Sequence, residues 1–432
     1  MKKSGVYKTK LENGLTVLLK EMHTAPLVSA WVWYRVGSRH ERAGLTGISH
    51  WLEHMMFKGT RRFPRDEVER RIASDGGVFN AMTWIDWTAY YETLPSDKID
   101  YALRMEADRM RHALFPPKEV DAERTVVISE RQGHENNPAF RLAEEVQNTA
   151  FRVHPYHHEV VGDMADLESM TRDDLVAHYR QFYAPNNAVV VAVGDFNTRE
   201  MLARIQLLFG GYARQTLTLP RPRPEPEQRG ERRLTLTGEG ETTYLEIVYH
   251  VPNATHPDFY PLVALDSILG GGGSLNPFGS GTSNKSSRLY KALVEAGLAA
   301  GVSGSLNPTV DPYLYSIFCV VRGGKTPAEV ESALDAEIER TLAERVAQAD
   351  LAKAIKQARA FFAYDTESAT RQGCWLGITE IFGTYEWFDK HLERLAAVTP
   401  DDVQRVAQKY LVKTNRTVGQ FIPAAPGPRG AA

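Results

Sequence analysis

The chain has 432 residues, 43% of them apolar and 24% charged, and its 54 acidic and 51 basic side chains leave a formal charge of −3. That length exceeds what one core sustains and implies two domains of roughly 200 residues each. Charges of both signs are interspersed, which excludes the basic stripe of a nucleic-acid binder, and no run of 18 apolar residues offers a membrane span.

Met1-Lys2-Lys3 carries the charge of an export signal without its apolar segment. The expectation is a soluble chain, cytoplasmic as written and periplasmic if a signal peptide has been removed. Strand patterns follow over Leu15 to Leu19 and Val28 to Val36. The next segment, Gly47 to Phe57, contains His50-Trp51-Leu52-Glu53-His54. On a helix, His50 and His54 lie one turn apart on one face with Glu53 beside them, so two imidazoles and a carboxylate converge. Zinc favours nitrogen ligands of this kind, and a catalytic site needs a third protein ligand while keeping a position for water. The competing reading is two histidines on a half-exposed helix face. Trp51, Leu52, Met55, Met56 and Phe57 weaken it, because polar groups in so apolar a helix are costly without a partner.

A second helical pattern, Pro117 to Gly133, carries Glu123 and Glu130 seven residues apart on one face. One could bind metal while the other orients a histidine; for Glu123 an ion pair with Arg124 or Arg131 is the alternative. His134 is a possible decoy ligand one turn beyond Glu130, and His154, His157 and His158 fall in a loop with nothing to aim them. From Thr171-Arg172-Asp173-Asp174 an amphipathic helix leads to Tyr183-Ala184-Pro185-Asn186-Asn187 and the strand Ala188 to Val193.

Leu219 to Arg233, rich in proline and charge, reads as a semi-rigid connector. Beyond it come strand patterns over Arg233 to Thr237 and Thr243 to His250, then a glycine-rich run from Gly270 through Gly281. That run lacks the Gly-Lys-Ser/Thr of a phosphate loop and reads either as a mobile loop over a chamber or as a plain surface loop. Cys319 and Cys374, amid apolar and aromatic neighbours, read as small buried hydrophobes. Thr399-Pro400-Asp401-Asp402, Tyr410, Asn415 and the strand Thr417 to Ile422 then repeat the end of the first half. An internal duplication at a period near 200 residues is therefore expected. The fold class is α+β: two similar domains, residues 1–218 and 234–432, each a mainly antiparallel sheet covered by helices on one face, joined by the linker 219–233.

Several segments together resemble the insulinase-like family of zinc peptidases, whose His-x-x-Glu-His order is the inverse of the commoner motif. They are Asn13 to Val17, Gly44 to Thr60, Gly76 to Tyr91, the Tyr183 to Asp195 segment, Ser287 to Leu293, and Glu130 placed 76 positions after His54. The resemblance implies a zinc-dependent endopeptidase that cleaves unfolded peptides in an enclosed chamber, with one Zn2+ per chain. His50, His54 and Glu130 would be the ligands, Glu53 the base that activates zinc-bound water, and Glu123 a supporting carboxylate. It also implies that Phe79 to Thr83 is an edge strand to which substrate adds, with Asn80 and Ala81 in contact with it; for Asn80 the alternative is a turn after Gly76-Gly77. The first domain would carry the metal and the second would be its inactive counterpart.

One departure bears on partners. Where many members of that family carry an arginine and a tyrosine that grip the substrate, this chain has Val294 and Ala300, and Arg288 and Tyr290 belong to a structural stretch. The resemblance then favours a heterodimer with a metal-free homologous subunit that supplies the pair, and otherwise a homodimer. The alternative of a different class is a non-catalytic structural or substrate-presenting subunit, against which the five retained polar groups argue.

Overall fold

The computed structural model describes residues 5–272, 275 and 285–424. The chain forms two compact units, one of Met1–Gln132, His158–Arg223 and Asp365–Lys390, the other of Gly133–His157, Pro224–Tyr364 and His391–Ala432.

The first unit holds a six-stranded sheet of β1 (Val6–Lys10), β2 (Thr16–Glu21), β3 (Leu27–Tyr34), β4 (Val78–Thr83), β5 (Thr88–Pro95) and β6 (Ala188–Gly194), in the order β1-β2-β6-β3-β5-β4. Only β2 and β6 pair in parallel. The second unit holds β7 (Arg232–Gly238), β8 (Tyr244–Val251), β9 (Ala299–Leu306), β10 (Tyr313–Val321) and β11 (Arg416–Pro423), in the order β7-β11-β8-β10-β9. Again the first and last strands, β7 and β11, run parallel and the other pairs antiparallel. Setting β1 aside, the two sheets repeat one topology.

The repeat extends to its turn chemistry. Thr171 caps its helix by accepting the Asp174 N–H at 3.2 Å while the Asp174 carboxylate accepts the Thr171 N–H at 2.9 Å. Thr399 and Asp402 make the same reciprocal pair at 3.2 and 3.1 Å. Five residues past each helix end, Asn187 and Asn415 donate to the carbonyls of Phe182 and Tyr410, both at 2.9 Å, and launch β6 and β11. Equivalent local sequences thus solve the same problem twice, as a duplicated chain should.

The partition differs from a sequential split at residues 219–233. The helix Pro138–Ala150, from the first half of the chain, packs on the second unit's sheet, and the helix Ala369–Phe382, from the second half, packs on β3 and β6 of the first. Glycines make both contacts close. A Cβ at Gly419 in β11 would come within 2.2 Å of Val146, and Cβ atoms at Gly373 and Gly377 would come within 2.5 Å of Trp31 and 2.0 Å of Trp33. Because Trp31 and Trp33 alternate with Ala30, Val32 and Tyr34, β3 is buried on both faces. The first sheet is therefore covered on two sides, where helices on one face were expected. Gly377→Ala should overpack the Trp33 contact and cost about 1–3 kcal/mol, read as a lower Tm; an unchanged Tm would mean that the helix yields freely.

Residues 219–231 carry no regular secondary structure, and Arg232 and Arg233 at the end of the expected connector already belong to β7. The carboxylate of Glu225 accepts the N–H groups of Arg152, Val153 and His154 at 2.8–3.1 Å, so this part of the connector is held in place. The glycine-rich run lies outside the described residues from Gly273 on, apart from Leu275.

Candidate metal centre

The helix Ile48–Met56 buries Ile48, Trp51, Leu52, Met55 and Met56 against the first unit's core and leaves His50 and His54 half-buried on its other side. Their rings meet edge to face with centroids 4.7 Å apart. Arg124 of the helix Pro117–Glu135 lies over the Trp51 ring at 4.7 Å and donates to the carbonyls of Leu167 and Met170 at 2.6 and 2.7 Å. This contact sets the two helices side by side and brings both glutamates to the histidines.

Glu130 Oε2 stands 3.7 Å from His50 Nε2 and 3.7 Å from His54 Nε2. Among the described residues, His50, His54 and Glu130 form the one group of His, Cys, Asp or Glu side chains placed to share an ion, with ligand atoms within 4.8 Å of one another. Separations of 3.7 Å are long for hydrogen bonds. They lie close to the ~3.3 Å between two ligands that each sit about 2.0–2.1 Å from a tetrahedral zinc. The donor set, two imidazole nitrogens and a carboxylate, suits zinc, and the Glu130 side chain remains 38% exposed, so water reaches the group.

Glu123 Oε1 is 2.8 Å from His54 Nδ1, and its other oxygen pairs with the buried ammonium of Lys58, which is also 3.5 Å from Glu119. The ion pair with Arg124 or Arg131 is thus not the arrangement the described contacts give Glu123. Its hydrogen bond to His54, helped by Lys58 against the cost of burial, holds the Glu123 carboxyl at about 2, well below the usual range. Burial works against a charged His54, yet Glu123 and the nearby carboxylates raise its pKa on balance.

Glu53 is buried, and desolvation pushes its pKa up to about 7 despite the hydrogen bond from Thr83 and the neighbouring His54. Thr83 Oγ1 donates to Glu53 Oε2 at 2.6 Å from the end of β4, one of the two edge strands of the sheet. Asn80 is exposed within β4 itself and not in a turn, and its side-chain oxygen accepts the Ala81 N–H at 2.9 Å; Ala81 is buried. Three of the other histidines named from the sequence are engaged elsewhere. His134 packs on Phe140 at 4.6 Å, His154 meets Asp311 at 3.1 Å, and His158 meets Glu41 at 3.0 Å. Arg288 faces Thr341, Glu337 and Asp350, as a structural arginine does.

Sequence patterns did not single out Lys58 or Thr83. Lys58 lies in the turn just past the helix end at Met56, four residues after His54, and that short spacing was a usable signal. Thr83 is 30 residues from Glu53, and only the sheet brings them together.

The model of the insulinase family (peptidase family M16) matches residues 16–164, and that of the peptidase M16 inactive domain matches residues 169–358. The zinc protease PqqE of Helicobacter pylori is 29% identical over 422 residues, covering 94% of this chain and 90% of that protein. YmxG of Bacillus subtilis, described as an uncharacterized zinc protease, is 26% identical over 408 residues, covering 93% of this chain and 95% of its own. The crystal structure of a protease from Helicobacter pylori superposes with a TM-score of 0.91 at 27% identity, covering 98% of this chain and all of that one. A peptidase M16 inactive domain from Pseudomonas fluorescens shares the fold, with a TM-score of 0.86 at 18% identity over 97% of this chain and 98% of that one.

Proposed function

The chain belongs to the insulinase family of peptidases, M16, and from that premise we propose that it is a zinc-dependent endopeptidase acting on unfolded peptides. The observation that carries the reading is the convergence of His50, His54 and Glu130 beside a buried Glu53. His50 and His54 through Nε2, and Glu130 through its carboxylate, would hold one zinc ion. Bound there, zinc supplies Lewis acidity toward water and a peptide carbonyl.

The protein's own groups do the rest. Glu123 accepts at His54 Nδ1, which fixes the tautomer and leaves Nε2 as the nitrogen facing Glu130. Lys58 holds the far oxygen of Glu123 and keeps that carboxylate in place. Thr83 anchors Oε2 of Glu53, so Oε1 is the oxygen left to take a proton from the attacking water and pass it to the leaving amine. A strand at the sheet's edge has free main-chain donors and acceptors, so β4 would take an extended peptide by strand addition, with Asn80 and Ala81 against it. A segment already paired within a folded protein cannot offer such a strand, which is the reason unfolded peptides are proposed as the substrates.

Val294 in the helical turn Tyr290–Glu295 and Ala300 in β9 supply neither an arginine nor a tyrosine, which supports a heterodimer with a metal-free homologue that brings both. A homodimer is the alternative arrangement. No helix among the described residues is long and apolar enough to cross a membrane.

The test is hydrolysis of a pool of unstructured peptides before and after chelation, with metal content assayed. About one zinc per chain, loss of cleavage on stripping and its return with zinc are expected. Cleavage that survives complete metal removal overturns the proposal. A zinc-loaded but silent chain directs the assay to the companion subunit.

A further inference from the structure

His50 occupies the third position of a helix only nine residues long, so the geometry of that helix's first turn sets where its imidazole lies. First turns fray unless their free N–H groups are capped. The residue at the cap is Gly47, at φ +85°, which has no side chain to offer, and a Cβ there would stand 2.4 Å from the Val161 carbonyl oxygen. A carboxylate from six residues upstream does the work. Glu41 Oε2 accepts the Gly47 N–H at 2.8 Å and its Oε1 accepts the Ser49 N–H at 2.8 Å.

Glu41 is buried, and His158 Nε2 meets its Oε2 at 3.0 Å. Burial opposes its ionisation, but His158 and the two N–H groups outweigh burial and keep the carboxyl below its usual range. The anion also complements the positive end of the helix dipole. Around it Asp166 accepts the N–H groups of Gly44 and Thr46 at 3.1 and 2.9 Å, and the Thr46 hydroxyl accepts the Asp163 N–H at 2.9 Å, so the approach to the helix is fixed from both sides.

We infer that Glu41, held by His158, is a positioning residue for zinc: it locks the first turn that carries His50 and thereby sets the affinity of the metal site. The inference rests on the zinc reading above. An amide at this position can accept one N–H but turns a donor toward the other or toward His158.

The test measures zinc dissociation constants of the full chain by competition with a chelator of known affinity, with circular dichroism to establish folding. Glu41→Gln is expected to weaken zinc binding by about tenfold or more, the scale of lost supporting contacts at metal sites. His158→Gln, which can still donate to Glu41 without charge, should shift it in the same direction by less. A purely structural role would lower the Tm and leave the constant of the folded variant unmoved, and that result overturns the inference. If Glu41→Gln does not fold, an unchanged constant in His158→Gln overturns it equally. Absence of zinc binding by the unaltered chain instead removes the zinc reading itself, and this inference with it.

Discussion

Glu53→Gln is expected to lower kcat for peptide hydrolysis by roughly 10²–10⁴-fold, the range for a lost general base, while zinc content stays at about one per chain. The amide is nearly isosteric and can still accept the Thr83 hydroxyl bond, so the helix and its two histidines should keep their positions. What it lacks is a site for the proton. The histidines and Glu130 are untouched, so metal affinity should change little. Turnover near that of the unaltered chain would remove Glu53 from the mechanism, whereas loss of zinc along with activity would make it a structural support for the site. Parallel metal analysis and single-turnover kinetics separate these outcomes.

Arg109→Met should cost about 3–5 kcal/mol of stability, because it leaves buried carboxylates without their cation. The Arg109 guanidinium is buried in the first unit, with Nε donating to Glu106 Oε2 at 2.9 Å and Nη2 contacting both Glu106 Oε1 and Glu92 Oε1, the latter at 3.4 Å. It also lies over the Tyr90 ring at 4.3 Å. One cation thus serves two fully buried carboxylates. Burial, then repulsion from Glu106, raises the pKa of Glu92 well above the ordinary value, so the Arg109 cation offsets an environment that disfavours charge on this carboxyl. Urea unfolding followed by tyrosine and tryptophan fluorescence reads the loss. Replacing Glu92, Glu106 and Arg109 together by leucine or methionine should restore much of it, since well-packed apolar groups often match a buried ion cluster. A loss under about 1 kcal/mol in the single variant would mean that water or another group compensates, contrary to the burial seen.

The two variants probe different layers of what was legible in the sequence. The spacing of His50, Glu53 and His54 needs only helical geometry, so the core of the site was readable at once. Glu123 and Glu130 were also visible as a pair on one face, but their separate tasks came only from the family resemblance and not from their spacing. Those depend on how far along the neighbouring helix each falls, which the packing of Arg124 on Trp51 decides. Glu92, Glu106 and Arg109 look like ordinary surface charges in a linear reading. Their burial follows from β5 and the helix Ile99–His112 closing over them.

By itself, the sequence determined features that rest on neighbours within a few residues: the strands and helices, the capping boxes at Thr171 and Thr399, the duplication they mark, and the motif on its helix. Tertiary structure alone decided which sheet receives the helices Pro138–Ala150 and Ala369–Phe382, since an apolar helix face fits any complementary surface until glycines such as Gly377 and Gly419 select one. It also decided the partners of the site, Thr83 for Glu53, Glu123 for His54 and Glu41 for the helix that carries them. The physical reason is that a hydrogen bond between residues 6 to 69 positions apart has no periodicity to betray it and exists only once the core has brought its ends together.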